Sequence, residues 1–447
     1  MAKYNINLKK TYTFPEEIKT VYYNNSILVI SPSTAKWIVL DSEVQLAILY
    51  YLKDGHSIEE VIASPTFDIK DTQIVITQLE ARHFCDRTVR SNTESMKNLH
   101  IYLTNKCNLA CPHCYMFAGK ASDNELSTEE VLKLMCDYRN SGGQNVTLSG
   151  GEPSIRSDFE TIVQNGSELG LRMNVLSNGV LMDEDRIRKI AHYLASVQIS
   201  IDGYSDESNS VVRGKGSFEK ALETVNNLIN YGVETSIAIT PPYDELKNHV
   251  EEYVIFAKEL VSRYAGQPLS IKFSEELLPG RVLYPQRKQV IEYITLMEEV
   301  QKKVYGPNYD IINFVRTLKE DTIMDNCMFG SISVASNGDI YFCARISDLL
   351  PAGNIRTTPF PTICQLAKKA EEATSVTRLK PCGECELRFI CGGGCRIDEF
   401  PSLVKRSTFN NLDINAIPAR QCSQEVKTKF YEIMIRSNKF FYRAVKQ

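Results

Sequence analysis

Between Asn98 and about Glu275, strand-like runs alternate with helical stretches, and this alternation constrains the 447-residue chain more than any other feature. Candidate strands are Leu99–Leu103, Asn145–Leu148, Arg172–Leu176, Val197–Ile201, Thr235–Ile239 and Ser270–Phe273. Helical stretches fall near Thr128–Arg139, Asp158–Glu168, Glu184–Leu194, Phe218–Asn230 and Glu245–Tyr264. Six such units predict an α/β fold with a parallel sheet, either open or wound as a partial barrel. In both arrangements chemistry sits at the C-terminal ends of the strands.

Cysteine is the second constraint. There are 13, and ten of them stand at close spacings in two clusters. Composition is otherwise ordinary for a globular chain, and the net charge of −4 gives no overall positive field for nucleic acid or an anionic membrane. The N-terminus, MAKYNINLKK, lacks a signal-peptide pattern, and the longest apolar run, Val44 to Leu52, is too short to cross a bilayer. The expected location is cytoplasmic, where clustered cysteines serve metal or redox chemistry rather than disulfides.

The flanks differ from the centre. Residues 1–90 begin with short strands (Thr20–Tyr23, Ser26–Ile30, Ala35–Leu40) and continue in three helices. The first two start at Ser42 with Gln45 and at Ser57 with Glu60, and the third runs from about Asp71 to His83. The first helix is expected to bury Val44, Ile48 and Tyr51 on one face. A polar linker covers 91–97, the central unit 98–285 and a helical bridge 286–320. Residues 321–447 are turn-rich and cysteine-rich, ending in a helix from about Gln424 with Val426, Phe430 and Ile433 on one side.

Directly after the first central strand comes Cys107-Asn-Leu-Ala-Cys111-Pro-His-Cys114. Three thiolates this close can hold three irons of a [4Fe–4S] cluster and leave the fourth open. Zinc would need a fourth ligand, His113 or a distant residue. The spacing resembles the CX3CX2C signature of the radical S-adenosylmethionine (SAM) superfamily, with His113 in the aromatic slot before the third cysteine. Gly150-Gly151-Glu152-Pro153 is similar to that family's GGEP motif, which cradles the methionine amino group of SAM. Glycines admit a close ligand and an acid suits an ammonium. Ser177-Asn178 ends the third strand, Ser200-Ile-Asp202 the fourth, and Arg213 follows before Ser217. The resemblance implies that all these positions, with His113, form the SAM site, Ser200 and Arg213 facing its carboxylate or ribose. It also implies a partial (β/α)6 TIM barrel.

The second cluster comprises Cys327, Cys343, Cys382, Cys385, Cys391, Cys395 and Cys422. Its C-x2-C pair alone would fit a zinc ribbon. All seven positions resemble the SPASM domain, which carries two auxiliary [4Fe–4S] clusters and so implies three in the chain. By that resemblance Cys382, Cys385, Cys391 and Cys422 fully ligate one cluster, and Cys327, Cys343 and Cys395 hold the other. An eighth cysteine is missing, so the latter has an open iron unless Cys364 or a non-cysteine ligand closes it. Cys85 and Cys136 read as packing residues.

The strands and helices of residues 1–90 describe a winged-helix-like domain. DNA binding would call for a basic unit, yet ten Lys/Arg stand against eleven Asp/Glu there. The pattern instead resembles the RiPP recognition element, which captures a leader peptide as an added strand. The combined resemblance implies a peptide maturase in which SAM, cleaved by a reduced cluster, yields a 5′-deoxyadenosyl radical that takes hydrogen from a ribosomally made precursor. The expected product is a Cys thioether of the sactipeptide or ranthipeptide type, on a Cys-rich peptide, with flavodoxin or ferredoxin as reductant. Carbon–carbon or carbon–oxygen cross-linking and sulfatase maturation are the enzymatic alternatives, and a redox-sensing DNA-binding regulator is the alternative of another class. No catalytic acid or base is named by the sequence; Glu275, Glu276 and Arg281 follow the sixth strand, facing either the cavity or solvent.

Overall fold

Apolar residues on alternate positions of the central strands, such as Leu99, Ile101 and Leu103, need a helical layer on one side. The computed structural model supplies it; it describes residues 7–91, 98–274, 277–317, 322–399 and 422–444. The central strands are β5 (Asn98–Thr104), β6 (Asn145–Gly150), β7 (Arg172–Ser177), β8 (Leu194–Ser200), β9 (Glu234–Ile239) and β10 (Leu269–Phe273). All five pairings are parallel and join consecutive strands. Because the order never reverses, successive right-handed crossovers stack every helix on one side and the sheet curls into a partial barrel. Val146, Leu148, Val175, Val197, Ile199 and Ile237 are buried on the helical side. The inner face carries His100, Tyr102, Ser149, Gln198 and Ser200.

The helices start where chemistry permits. The helix α4 (Thr128–Asn140) has a complete capping box from Ser127 and Glu130, and α6 (Glu184–Ile190) is capped by Asp183. The expected helix Glu245–Tyr264 is two, α9 (Tyr243–Asn248) and α10 (Val250–Arg263), because His249 leaves helical geometry at φ −135° and ψ 35°. A short helix not expected from periodicity, α7 (Asp206–Arg213), leads from β8 toward α8 (Ser217–Asn230).

The sheet does not stop at the expected domain boundary. Two-residue β12 (Ser333–Val334) pairs in parallel with β5, and β13 (Asp339–Tyr341) and β14 (Gly353–Asn354) extend it as an antiparallel meander. At the other junction β4 (Arg90–Ser91) pairs with β11 (Thr322–Ile323). Residues 287–317 hold helices Arg287–Tyr305 and Tyr309–Thr317, and Phe360–Ala373 is a further helix inside the turn-rich region.

The N-terminal unit is an antiparallel sheet of β1 (Lys19–Tyr23), β2 (Ser26–Ser31) and β3 (Lys36–Leu40), followed by α1 (Glu43–Lys53), α2 (Ile58–Ala63) and α3 (Ile69–Ala81). Ile27, Val29, Ile38 and Leu40 face these helices. The alternate residues Leu28, Ile30, Trp37 and Val39 pack instead on Leu387, Ile390, Tyr431 and Met434 of the C-terminal region. The α1 face differs from expectation: Ile48, Leu49 and Leu52 are buried while Val44 is exposed, because the run Leu46–Leu52 offers apolar residues on several sides and α3 meets the Ile48–Leu49 side. In the C-terminal helix, Gln424–Ala444, Tyr431 and Met434 are buried and Val426, Phe430 and Ile433 only half-buried. Among the described residues no helix is long and apolar enough to cross a membrane.

Candidate active site

The cysteine loop leaves β5 and closes on itself: the Cys107 amide donates to the Gly119 carbonyl at 3.0 Å and the Gly119 amide to the Asn105 carbonyl at 2.8 Å. The turn after β6 lies against the same neck, with the Gly151 amide donating to Thr104 O (2.8 Å) and the Glu152 amide to Lys106 O (2.9 Å). Only glycine fits that approach. Gly150 has φ +138°, and a Cβ on it would stand 2.3 Å from the Thr104 carbonyl oxygen.

Cys107, Cys111 and Cys114 line one cavity of about 360 Å³, a size typical of small-molecule sites. His113, Gly150 and Gly151 belong to the same wall. Ser177, Asn178, Ser200 and Arg213 complete it from the strand ends across the barrel. Burial pushes the thiols of Cys107 and Cys111 up, while Arg213 beside Cys111 pulls the other way. The strand-end rule also covers wall residues that sequence motifs missed, among them Thr240 and Pro241 after β9 and Leu277 after β10.

Glu152, Pro153 and Asp202 stand one layer behind this wall. The Glu152 carboxylate is fully buried and accepts from Ser154 Oγ (2.5 Å), Ser154 N (3.1 Å), Ser177 Oγ (2.8 Å) and Asn178 N (2.8 Å). It thus ties β6 to β7, and burial raises its pKa against the pull of those donors. Pro153 opens the short 3-10 turn Pro153–Ile155. Asp202 is fully buried too, accepting from Arg213 Nε (2.7 Å) and Thr240 N (3.0 Å), with His113 Nε2 at 3.1 Å. Burial opposes its charge, but Arg213 and His113 outweigh that and hold the carboxyl below the usual range. Asn209 Oδ1 accepts from the amides of Asp202 and Gly203, and a Cβ on Gly203 would lie 2.1 Å from Asn209 N. Arg281 does not face the cavity: its Nη2 donates to the Ala118 carbonyl, bracing the cysteine loop. Glu275 and Glu276 lie outside the described residues.

The C-terminal cysteines form two groups. Cys382, Cys385, Cys391 and Cys422 surround a second cavity of about 210 Å³, where Lys427 pairs with Glu386 at 2.9 Å. Burial pushes the Cys385 thiol up to about 11. Cys343 feels the charges of Cys327 and Cys395, and Arg345 Nη1 lies 3.6 Å from Cys395 Sγ. Arg396 is buried beside both groups, donating to the carbonyls of Thr374, Gly392, Gly394 and Asp325. Cys364 sits elsewhere, its thiol against Tyr138 of α4 and Ser141 just past that helix. Cys136 is half-buried on α4, and Cys85 packs beside the N-terminal core.

The Radical SAM superfamily profile matches residues 101–257, which hold the first cysteine loop and most of the cavity wall, and that of the SPASM iron-sulfur cluster-binding domain matches 326–386. This chain is a radical SAM enzyme. Similar proteins include mycofactocin maturase MftC of Mycolicibacterium smegmatis, 28% identical over 313 residues that cover 67% of this chain and 77% of MftC. Another is the sporulation killing factor maturation protein SkfB of Bacillus subtilis, 29% identical over 292 residues, covering 64% and 69%. The AdoMet-dependent heme synthase of Nitratidesulfovibrio vulgaris is 27% identical over 341 residues, covering 69% and 90%. The solved structure of native anSMEcpe with bound AdoMet shares the fold, with a TM-score of 0.57 at 18% identity over 78% of this chain and 99% of that one.

The radical SAM site fits its cofactors. Cys107, Cys111 and Cys114, all lining this cavity, would hold a [4Fe–4S] cluster through three of its irons and leave the fourth without a protein thiolate. The Arg213 cation and the buried His113 Nδ1, which has no hydrogen-bond partner, present polar groups at the same place.

Proposed function

We propose that this radical SAM enzyme is a cytoplasmic peptide maturase that forms Cys thioether cross-links in a ribosomally made precursor. The observation that carries the reading is the seating of a strand-edged N-terminal unit on the second cysteine cavity within one chain. The maturase names of MftC and SkfB support it.

Peptide capture falls to β1. The outward groups of β3 are already taken: Gln78 bonds the Val39 amide and carbonyl, and Arg82 Nε donates to the Trp37 carbonyl. The sheet order leaves β1 at the other edge, with Tyr22, Val44 and Tyr50 exposed nearby. An extended leader added there gains backbone hydrogen bonds and apolar contacts together.

In this reading Cys107, Cys111 and Cys114 hold the SAM-binding cluster. Cys382, Cys385, Cys391 and Cys422 hold a closed auxiliary cluster, and Cys327, Cys343 and Cys395 an auxiliary cluster with one position left for a substrate thiol. The placement of Cys364 against α4 supports that open position. When bound, the first cluster and SAM supply a radical able to take hydrogen from an unactivated carbon. The protein's part is positional: Asp202 holds Arg213 and His113 in the wall, and Glu152 fixes the two strand-end turns. Electrons come from a flavodoxin or ferredoxin.

The test is anaerobic reconstitution with iron and sulfide, then addition of dithionite, SAM and Cys-containing precursor peptides encoded nearby. About twelve irons per chain are expected, from three clusters. Formation of 5′-deoxyadenosine should rise with one peptide, which loses two hydrogens per bond formed, and fragmentation should place the bond at a Cys sulfur. A bond between two carbons, or to oxygen, would replace the thioether with another cross-link. No nucleoside from fully loaded protein would sink the maturase reading.

A further inference from the structure

Tyr102 stands where the first cysteine loop meets the C-terminal cysteines. It lies on the inner face of β5, 2% exposed, its ring stacked on His100 at 4.5 Å and 20°. His100 Nε2 in turn lies 2.5 Å from Ser149 Oγ, and burial lowers its pKa to about 4, so the stack is neutral. The Tyr102 hydroxyl donates to the carbonyl of Ala344, the residue after Cys343. It also lies 3.5 Å from the hydroxyl of Tyr115, which follows Cys114 and lines the active-site cavity. One side chain therefore joins the backbone beside Cys343 to the residue beside Cys114. β12 brings the C-terminal region to β5 only at His100 and Ile101. Beyond that two-residue ladder, the Cys343 end depends on contacts such as this one.

We propose that Tyr102 is a positioning residue: its hydroxyl fixes the Cys343–Ala344 backbone against the first cysteine loop, so that a substrate group held at Cys327, Cys343 and Cys395 keeps one distance and orientation from the active-site cavity. This rests on the reading that those three cysteines hold an auxiliary cluster. Hydrogen abstraction and bond formation then concern two atoms of one peptide, and small misplacements separate them. Cleavage of SAM needs only the cavity, whereas product formation needs both places at once.

The experiment compares reconstituted Tyr102→Phe with wild type, measuring iron per chain, SAM affinity by equilibrium dialysis, the EPR spectrum of the reduced protein, and cross-linked peptide formed per 5′-deoxyadenosine. The phenyl ring keeps the packing and loses the hydroxyl's hydrogen bond to the Ala344 carbonyl together with its longer contact to Tyr115. Iron content and SAM affinity should stay within about twofold, the auxiliary-cluster EPR signal should change shape, and product per nucleoside should fall about fivefold. Tyr115→Phe, which removes the neighbouring hydroxyl from a half-buried site, should move the same ratio in the same direction by a smaller factor. An unchanged EPR signal and product ratio in Tyr102→Phe overturns the proposal. Loss of auxiliary iron from Tyr102→Phe also overturns it, because the hydroxyl would then support the site rather than position it. Wild-type protein carrying iron for one cluster only would overturn the underlying reading instead.

Discussion

Asp202→Ala is expected to weaken SAM binding about a hundredfold and to destabilise the protein by about 3–5 kcal/mol, because it strands a buried arginine. The carboxylate is fully buried and accepts from Arg213, Thr240 N and His113. Arg213 is only 12% exposed, so water cannot replace the lost partner. The free guanidinium and imidazole would both leave the wall that faces the ligand. Asp202→Asn keeps the shape and one acceptor but loses the charge, and should fall between wild type and alanine. Equilibrium dialysis with SAM and urea denaturation read the two effects separately; unchanged SAM affinity in the alanine variant would remove Asp202 from the site. The pH dependence has a definite sign. A carboxyl held below its ordinary value stabilises the fold above the unfolded pKa, about 3.9, and this contribution is lost as pH falls through the depressed folded value. Asp202 should therefore confer its full stability at neutral pH, and acid denaturation of wild type should lose it only below about pH 4.

Arg396→Met should cost about as much stability, and its signature differs. Arg396 is fully buried and binds four backbone carbonyls, at distances from 2.6 to 3.2 Å, that shape the Cys391–Cys395 turn and the segments at Asp325 and Thr374. Burial lowers its pKa, while the neighbouring Cys327, Cys382, Asp325 and Cys395 side chains pull the other way. Methionine fills the volume and leaves the carbonyls unpaired, a loss of about 1–3 kcal/mol for each group that water cannot reach. The variant should lose iron from the C-terminal cysteines while Cys107, Cys111 and Cys114 keep theirs. Iron and sulfide analysis should show it, with peptide-independent SAM cleavage retained. Full iron content in Arg396→Met would mean that the two C-terminal sites are organised without it.

These two residues mark where the sequence was readable and where it was not. The six strands, the cysteine spacings and the strand-end turns were legible because each has a local cause: period-two burial, ligand spacing and tight turns. The site behind the wall was not. Glu152 beside two glycines reads as a ligand contact, yet four donors from β7 and its own turn hold it inward. Those partners lie 2 to 26 residues away, and no local pattern announces them. Arg396 gives no sequence signal because its partners are carbonyls, which every residue possesses. Ser333–Val334 is too short to read as a strand, although pairing with β5 carries the sheet into the C-terminal region. The α1 face escapes a local reading for another reason: a run of apolar residues leaves the buried side to be chosen by tertiary packing.

The N-terminal sheet has no spare side. One face serves its own helices and the other meets Leu387 and Ile390, which lie in sequence between Cys385 and Cys391, while Trp37 Nε1 donates to the Met434 carbonyl at 3.2 Å. Domain grafting therefore meets a boundary condition. A recognition unit transplanted from another enzyme would have to reproduce Leu28, Ile30, Trp37 and Val39 on its outer face, whatever leader it reads. Conversely, residues 1–90 produced alone would show water four apolar side chains, each worth about 1.5–3 kcal/mol of burial, and would tend to self-associate. Retargeting by point changes along β1 respects this constraint, and exchange of the whole unit does not.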